Sequence, residues 1–531
     1  MNRSTANPTC QRTRLCLQVG SSLLANLLLF TPFFVLAVFA VVQACRFAVV
    51  HNDTTYPEGA SVYAFLYAIR TGHLYASPFQ YPWNVQLYGP LFYLTGTCIA
   101  WLVHGDPFAT TVVVRLLAFA ALIGSATLLA LMTWKLEHSR RWSTLVFLMG
   151  LGCSWAALAS VSARPDTLAI FFFLAGLAVY LAADDRLGTA CVCGALCSIS
   201  ALFKQNTAPF LLMLLLDPLI RRKPTQAFAM LAGALPVPMI FFLALWLRHE
   251  PIAANFFAIS HSRVVLMRIG SIFADALRHD EIAAMLLALA ILGMAVSRSG
   301  PGYASLARIT LAAWVFTLVS LANAGSSFNY LVPAYLLSLV FVPPAFMWLS
   351  HRSRLLQGAP MLLGVMGIAV LIRHARTEIP TSPLELEAGP VRNLDLLSDM
   401  PFLEAQSRDP QFLDPLYYRL LFMNRNFSSA AFDEDIARDA FDLVLIQGSN
   451  AAADATSAAP MFDAASWWGN QTLHEVRSRY RVLCEVSIDQ DSVMALVPQN
   501  RQSSVNSSTV SEIFRAPCNA TNRAWDPTPG P

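Results

Sequence analysis

Apolar stretches punctuate most of this chain, at about residues 22–44, 109–133, 143–161, 167–182, 187–203, 207–220, 225–247, 282–297, 306–322, 330–349 and 358–373. Several approach the roughly 20 residues that cover a hydrocarbon core of about 30 Å, and together they predict about eleven transmembrane helices. Polar interruptions separate them, two of which are long, at 45–108 and 248–281. From about residue 374 the apolar pattern stops, after a Pro-containing linker at Ile379–Pro383. Beyond it, Leu394–Leu397, Phe441–Ile446 and the stretch 480–497 read as short strands, and the amphipathic stretch 401–425 reads as helix. The pattern predicts a polytopic α-helical membrane protein with a small C-terminal α/β domain at 374–500, and a disordered tail, rich in Ser, Asn, Pro and Thr, at 501–531.

One apolar run, 89–103, tests the topology. If it crossed, the basic clusters Lys135/Arg140/Arg141, Arg221/Arg222/Lys223, Arg298/Arg308 and Arg352/Arg354 would all face outward. Basic loops stay on the cytoplasmic side, so the run is expected in the interface, inside one large external loop spanning 45–108. The first span follows Arg3, Arg12 and Arg14 and is too long for the core of a cleaved signal peptide. It reads as a retained anchor, with residues 1–21 in the cytoplasm and the C-terminal domain outside. On this topology Ser162–Asp166, Lys204–Asn206 and Asn323–Tyr330 emerge on the face that carries the first external loop.

Composition sharpens the class. Of 531 residues, 56% are hydrophobic and only 13% charged, which excludes an ordinary water-soluble domain. The mean hydropathy is +0.50. A net charge of +3 implies neither a nucleic acid nor an acidic partner. Cys153, Cys191, Cys193 and Cys197 fall in apolar spans without the polar neighbours of a zinc site. Cys484 and Cys518 are the only cysteines after residue 374, so a disulfide between them is an expectation for an oxidising compartment.

The candidate chemistry begins at His51-Asn52-Asp53-Thr54-Thr55-Tyr56-Pro57-Glu58-Gly59, directly after the first span. A carboxylate held where hydrocarbon meets water is costly to ionise and close to lipid-borne substrates, conditions that suit a general base. The polar interruptions add Tyr88, Arg164, Asp166, Lys204, Gln205, Asn329 and Tyr330. A carboxylate can act as a base and a cation can hold an anionic group, roles open to Asp53 or Glu58 and to Lys204 and Arg164. Structural readings compete at each position: Lys204 as a snorkelling interfacial lysine, Arg164 and Asp166 as a mutual pair or helix cap, the tyrosines as headgroup anchors.

In order and topology this set, with the runs Tyr88-Gly89-Pro90-Leu91-Phe92-Tyr93 and Asn329-Tyr330-Leu331-Val332-Pro333, resembles the GT-C superfamily. These are polytopic glycosyltransferases that use polyprenyl-phosphate-linked sugars, among them protein O-mannosyltransferases and lipid A aminoarabinose transferases. The likeness spans roughly residues 20–375 as an architecture. It implies an inverting membrane glycosyltransferase with a first-loop carboxylate, Asp53 or Glu58, as catalytic acid-base group. Tyr88, Arg164, Asp166, Lys204, Gln205, Asn329 and Tyr330 are then expected to bind substrate. The Tyr88–Tyr93 run is similar to a Pro-Pro-Leu-Tyr-Tyr segment of bacterial relatives, and Asn329-Tyr330 stands where many have Arg-Tyr. Some members use a divalent cation; no dedicated ligand cluster appears in the sequence, and the requirement stays open. The implied partners are a polyprenyl-phosphate-linked sugar, a glycan, lipid or protein acceptor, and membrane lipid. The competing class is a secondary transporter or flippase, but no internal repeat is evident.

Overall fold

The structure, a computed structural model, describes residues 8–53, 58–80, 84–182, 186–258, 266–297, 300–322, 328–352, 386–410, 429–449, 470–488, 491–500 and 503–519. The apolar stretch 358–373, the Ile379–Pro383 linker and positions 411–425 of the expected helix lie outside them. Every other apolar stretch forms helix. The first belongs to α1 (Pro8–Ala48), which starts before the apolar residues, so much of the 1–21 segment is helical. Next come α2 (Glu58–Thr71), α3 (Pro90–Leu102), α4 (Pro107–Glu137), α5 (Arg140–Leu151), α6 (Ser154–Ser160), α7 (Asp166–Ala182), α8 (Leu187–Phe203) and α9 (Ala208–Ile220). The bundle continues with α10 (Pro224–Ala234), α11 (Pro236–Leu247), α12 (Ile252–Phe257), α13 (Met267–His279), α14 (Glu281–Val296), α15 (Pro301–Leu321), α16 (Val332–Ser338) and α17 (Val342–Arg352).

Five helical segments are long and apolar enough to cross a membrane: Leu27–Ala48, Pro107–Glu137, Pro224–Leu247, Gly302–Leu321 and Asn329–Arg352. A sixth arises if the bent pair α13 and α14 forms one span. The remaining apolar stretches are shorter. The 143–161 stretch breaks between Leu151 and Ser154 into α5 and α6, and α7, α8 and α9 run for 17, 17 and 13 residues. Phe173, Leu174 and Leu177 of α7 and Cys193 of α8 are buried among other helices.

The run at 89–103 is the short helix α3, introduced by Pro90 at its first position, where a missing N–H costs nothing. It packs on α2, α4 and α8. Gly89 lets this happen: a Cβ there would land on the Leu202 carbonyl, and the Gly89 N–H donates to the Phe203 carbonyl at 3.1 Å. Ahead of α3 the chain is pinned by buried polar groups. Glu250 accepts the N–H groups of Leu74 and Tyr75 at 3.0 and 2.9 Å. Asn255 accepts from the Gln86 N–H at 2.8 Å and donates to the Ala76 carbonyl at 2.7 Å.

The C-terminal unit is a four-stranded mixed sheet in the order β1-β2-β4-β3, with β1 at Leu396–Ser398, β2 at Leu443–Ser449, β3 at Tyr480–Ile488 and β4 at Asp491–Pro498. β1 pairs parallel with β2, and the other pairs are antiparallel. Alternating side chains serve two faces. Leu396, Leu443, Leu445, Val486 and Val493 join Val510, Ile513 and Phe514 in one core. Leu397, Val444, Ile446 and Leu496 pack on the opposite face with Phe432, Ile436 and Val476, and with Val85 and Ala258 from the helical part of the chain.

Two expectations change here. Helix within 401–425 is limited among the described residues to Pro401–Glu404. Within the tail, residues 503–519 are ordered: Ser507–Phe514 is a helix capped by Asn506, whose Oδ1 accepts the Thr509 N–H at 3.0 Å. Val510, Ile513 and Phe514 share one face of that helix and fill the sheet's core, while the Cys484–Cys518 disulfide ties its far end to β3. A Ser- and Asn-rich composition hid a short amphipathic element.

Candidate functional site

Glu58 and Arg115 form a fully buried ion pair. The Arg115 Nε donates to Glu58 Oε1 at 2.8 Å and a terminal nitrogen to Oε2 at 2.6 Å. The same guanidinium donates to the carbonyls of Phe47 and Val50 at 2.9 and 2.7 Å, and to that of Asn52. Burying an arginine is costly unless its donors are matched, and here they close the end of α1 onto the start of α2. Glu58 Oε1 also accepts the Ala163 N–H, tying α2 to the Ser162–Asp166 segment. Sequence reasoning missed Arg115. The signal was present, since an arginine inside the apolar stretch 109–133 is by default a paired or functional group.

Asp53 lies half-buried beside this pair. Its Oδ1 accepts the Gly59 N–H at 2.6 Å, next to the N-terminus of α2, where a negative charge is favoured. Its Oδ2 accepts the Phe402 N–H at 2.8 Å. Burial and the nearby Glu58 carboxylate raise its pKa to about 7, against the lowering pull of the two N–H donors and Arg115. The two candidate acids thus differ: both Glu58 oxygens are engaged by Arg115, whereas Asp53 accepts two peptide N–H groups and its pKa is raised to about 7.

From Ala163 the chain leads to a second cluster. Asp166, at the head of α7, accepts Lys204 Nζ at 2.5 Å and Asn329 Nδ2 at 2.7 Å on one oxygen, and Arg164 Nε lies 3.3 Å from the other. Lys204 Nζ also sits 4.7 Å from the centre of the Tyr330 ring, a cation–π distance. Lys204 is buried and paired, so it does not snorkel, whereas Arg164 and Asp166 do pair. The α3–α8 contact places Tyr88 at the same cluster, in the electrostatic field of Arg164, Asp166, Lys204 and Tyr330. Burial raises the Tyr88 phenol, which keeps it a neutral donor. Gln205 braces the arrangement through its side-chain N–H on the Leu87 carbonyl at 2.5 Å. All seven residues expected to bind substrate therefore meet at one end of the bundle, and Ala163 joins them to the Asp53–Glu58 loop.

Two cations to one carboxylate leave this cluster with a net positive charge, in a setting of low dielectric where anions are held strongly. It suits a phosphate. Among the described residues no three His, Cys, Asp or Glu side chains converge on a common point.

No protein-family model and no curated protein matches the chain. Among solved structures, ArnT from Cupriavidus metallidurans in the apo state is 12% identical, covers 88% of this chain and 98% of its own, and superposes with a TM-score of 0.52. ArnT bound to undecaprenyl phosphate is 13% identical over 86% of this chain and 97% of its own, with a TM-score of 0.50. The oligosaccharyltransferase AglB from Archaeoglobus fulgidus, in complex with an inhibitory peptide and a dolichol-phosphate, is 11% identical over 91% of this chain and 77% of its own, with a TM-score of 0.48. ArnT is a GT-C superfamily member, and the likeness to it extends over most of both chains. The chain has the GT-C fold.

Proposed function

We propose, taking that fold as premise, that the protein is a membrane glycosyltransferase that moves a sugar from a polyprenyl-phosphate donor to an acceptor hydroxyl on the extracytoplasmic face. One observation carries this reading: a carboxylate titrating near neutrality and a net-cationic cluster are joined through a single short segment, Ser162–Asp166, at one end of the bundle. The Asp53 carboxylate takes the proton of the acceptor hydroxyl. The freed oxygen forms a bond to the anomeric carbon as the carbon–oxygen bond to phosphate breaks, and polyprenyl phosphate leaves with that electron pair. Lys204 and Arg164 stabilise the charge growing on the phosphate. One displacement inverts the anomeric centre, so no second carboxylate is needed as nucleophile.

Supporting this reading, an ArnT structure holds undecaprenyl phosphate, a lipid of the donor class. The orientation draws on the separation of charges. The site lies at the head of α7, while near its other end Tyr180 donates to Asp217, which pairs with Arg308, and accepts from Arg221, and Lys135 donates to the Ala182 carbonyl. About 21 Å of helix separates the two ends. The basic end fits the cytoplasm, and a disulfide in the C-terminal domain fits an oxidising exterior.

The test is label transfer from a radiolabelled polyprenyl-phosphate sugar in membranes that contain the protein. Asp53→Asn is expected to lower transfer by about 10²- to 10⁴-fold and Lys204→Ala by about 10²- to 10³-fold. A base must be ionised to act, so wild-type rate should rise with pH through about 7 and level off above it. Equal transfer in all three proteins would remove the site assignment, and uptake into sealed vesicles without covalent transfer would favour a carrier.

A further inference from the structure

We infer that the C-terminal domain completes the catalytic centre: the peptide N–H of Phe402 is a positioning group that orients Asp53. The inference rests on the reading of Asp53 as the base. Phe402 and Gly59 donate to different oxygens of this carboxylate, at 2.8 and 2.6 Å, so the helical bundle and the sheet domain each grip one side of it. An ionised carboxylate has about four lone-pair sites; the two N–H groups use two and leave two for an incoming hydroxyl. A base fixed in this way needs no reorientation when the acceptor arrives.

The contact is built rather than incidental. Gly59 is the only residue type that fits, because a Cβ there would land on the Pro401 carbonyl. Around it, Leu386 donates its N–H to the His51 carbonyl at 3.2 Å, and Ala60 and Tyr63 of α2 pack against Ala405. Val85 and Ala258 enter the sheet domain's own core. Shape, backbone hydrogen bonds and apolar burial therefore all set the Pro401–Glu404 turn at one height above Asp53.

Removing the Phe402 N–H should shift the base in a definite direction. The charged groups that act on Asp53 are Glu58 from α2 and Arg115 from α4; the domain's contribution at the carboxylate is the uncharged Phe402 peptide N–H. A donor to a carboxylate favours the ionised form, so its loss favours the protonated form and moves the acid limb of the rate profile upward.

The experiment uses the full-length enzyme in membranes, with Phe402 replaced by phenyllactate, which exchanges the N–H for an ester oxygen and keeps the side chain. Transfer is measured from pH 5 to about pH 9, the range that brackets the limb expected of the base. The acid limb should rise by about one pH unit in the ester enzyme, while Phe402→Leu, which retains the N–H, keeps the wild-type midpoint. Gly59→Ala, which pushes the Pro401 carbonyl away, should shift the limb in the same direction. An unmoved limb in the ester enzyme, or activity lost equally at every pH, overturns the inference. If wild type transfers no sugar, or Asp53→Asn transfers as well as wild type, the functional reading itself fails, a result separate from an active enzyme with an unmoved limb.

Discussion

At Glu58 both carboxylate oxygens receive donors from a buried guanidinium, and at Asp53 they receive peptide N–H groups. The first arrangement holds structure, because an arginine and a glutamate out of water are tolerable only together. Replacing one partner strands the other. Arg115→Met is expected to cost about 3–5 kcal/mol, with part of the loss recovered when Glu58→Leu is added, since the pair is then apolar but the Phe47, Val50 and Asn52 carbonyls and the Ala163 N–H lose their partners. Thermal unfolding in detergent measures both, and full additivity of the two losses would contradict the pairing. Asp53→Asn should stand apart, lowering transfer by about 10²- to 10⁴-fold with little change in unfolding temperature. Sequence spacing put Asp53 and Glu58 in one loop but could not rank them, because the rank depends on Arg115, a residue from a different helix.

Among the elements, α3 and α8 meet through Gly89 and the Phe203 carbonyl, and that junction sets Tyr88 beside Lys204. Both partners were legible as isolated motifs; their meeting was not, since it depends on a close backbone approach that only a missing side chain allows. The sheet strands were legible from alternation and β-branched residues at Val444, Ile446, Val482 and Val486. The Ser507–Phe514 helix was not, although Val510, Ile513 and Phe514 carry helical spacing. Its retention depends in part on the Cys484–Cys518 bond, which closes a sequence separation of 34 residues. Cys518→Ser should therefore destabilise the C-terminal domain by about 2–4 kcal/mol, read as faster limited proteolysis near Asn519, and reductant should reproduce it in wild type but not in the variant.

For the whole molecule, the helices bring Asp53, Arg164, Lys204 and Asn329 to one end and leave Lys135, Arg221 and Arg308 at the other. Single cysteines at positions 53 and 204 are expected to react with a membrane-impermeant thiol reagent from the same side, with position 221 reached from the opposite one; labelling of 53 and 204 from opposite sides would break the arrangement. The sequence by itself determined the membrane class, the strand segments and the identity of every polar residue in the cluster, because hydropathy, alternation and charge in apolar runs are local properties. Tertiary structure alone decided that Glu58 is consumed by Arg115, that Lys204 faces Asp166 instead of the interface, and that a peptide bond 349 positions away holds Asp53. Those outcomes turn on which surfaces lose water together, a choice made between helices and domains and written in no single stretch of chain.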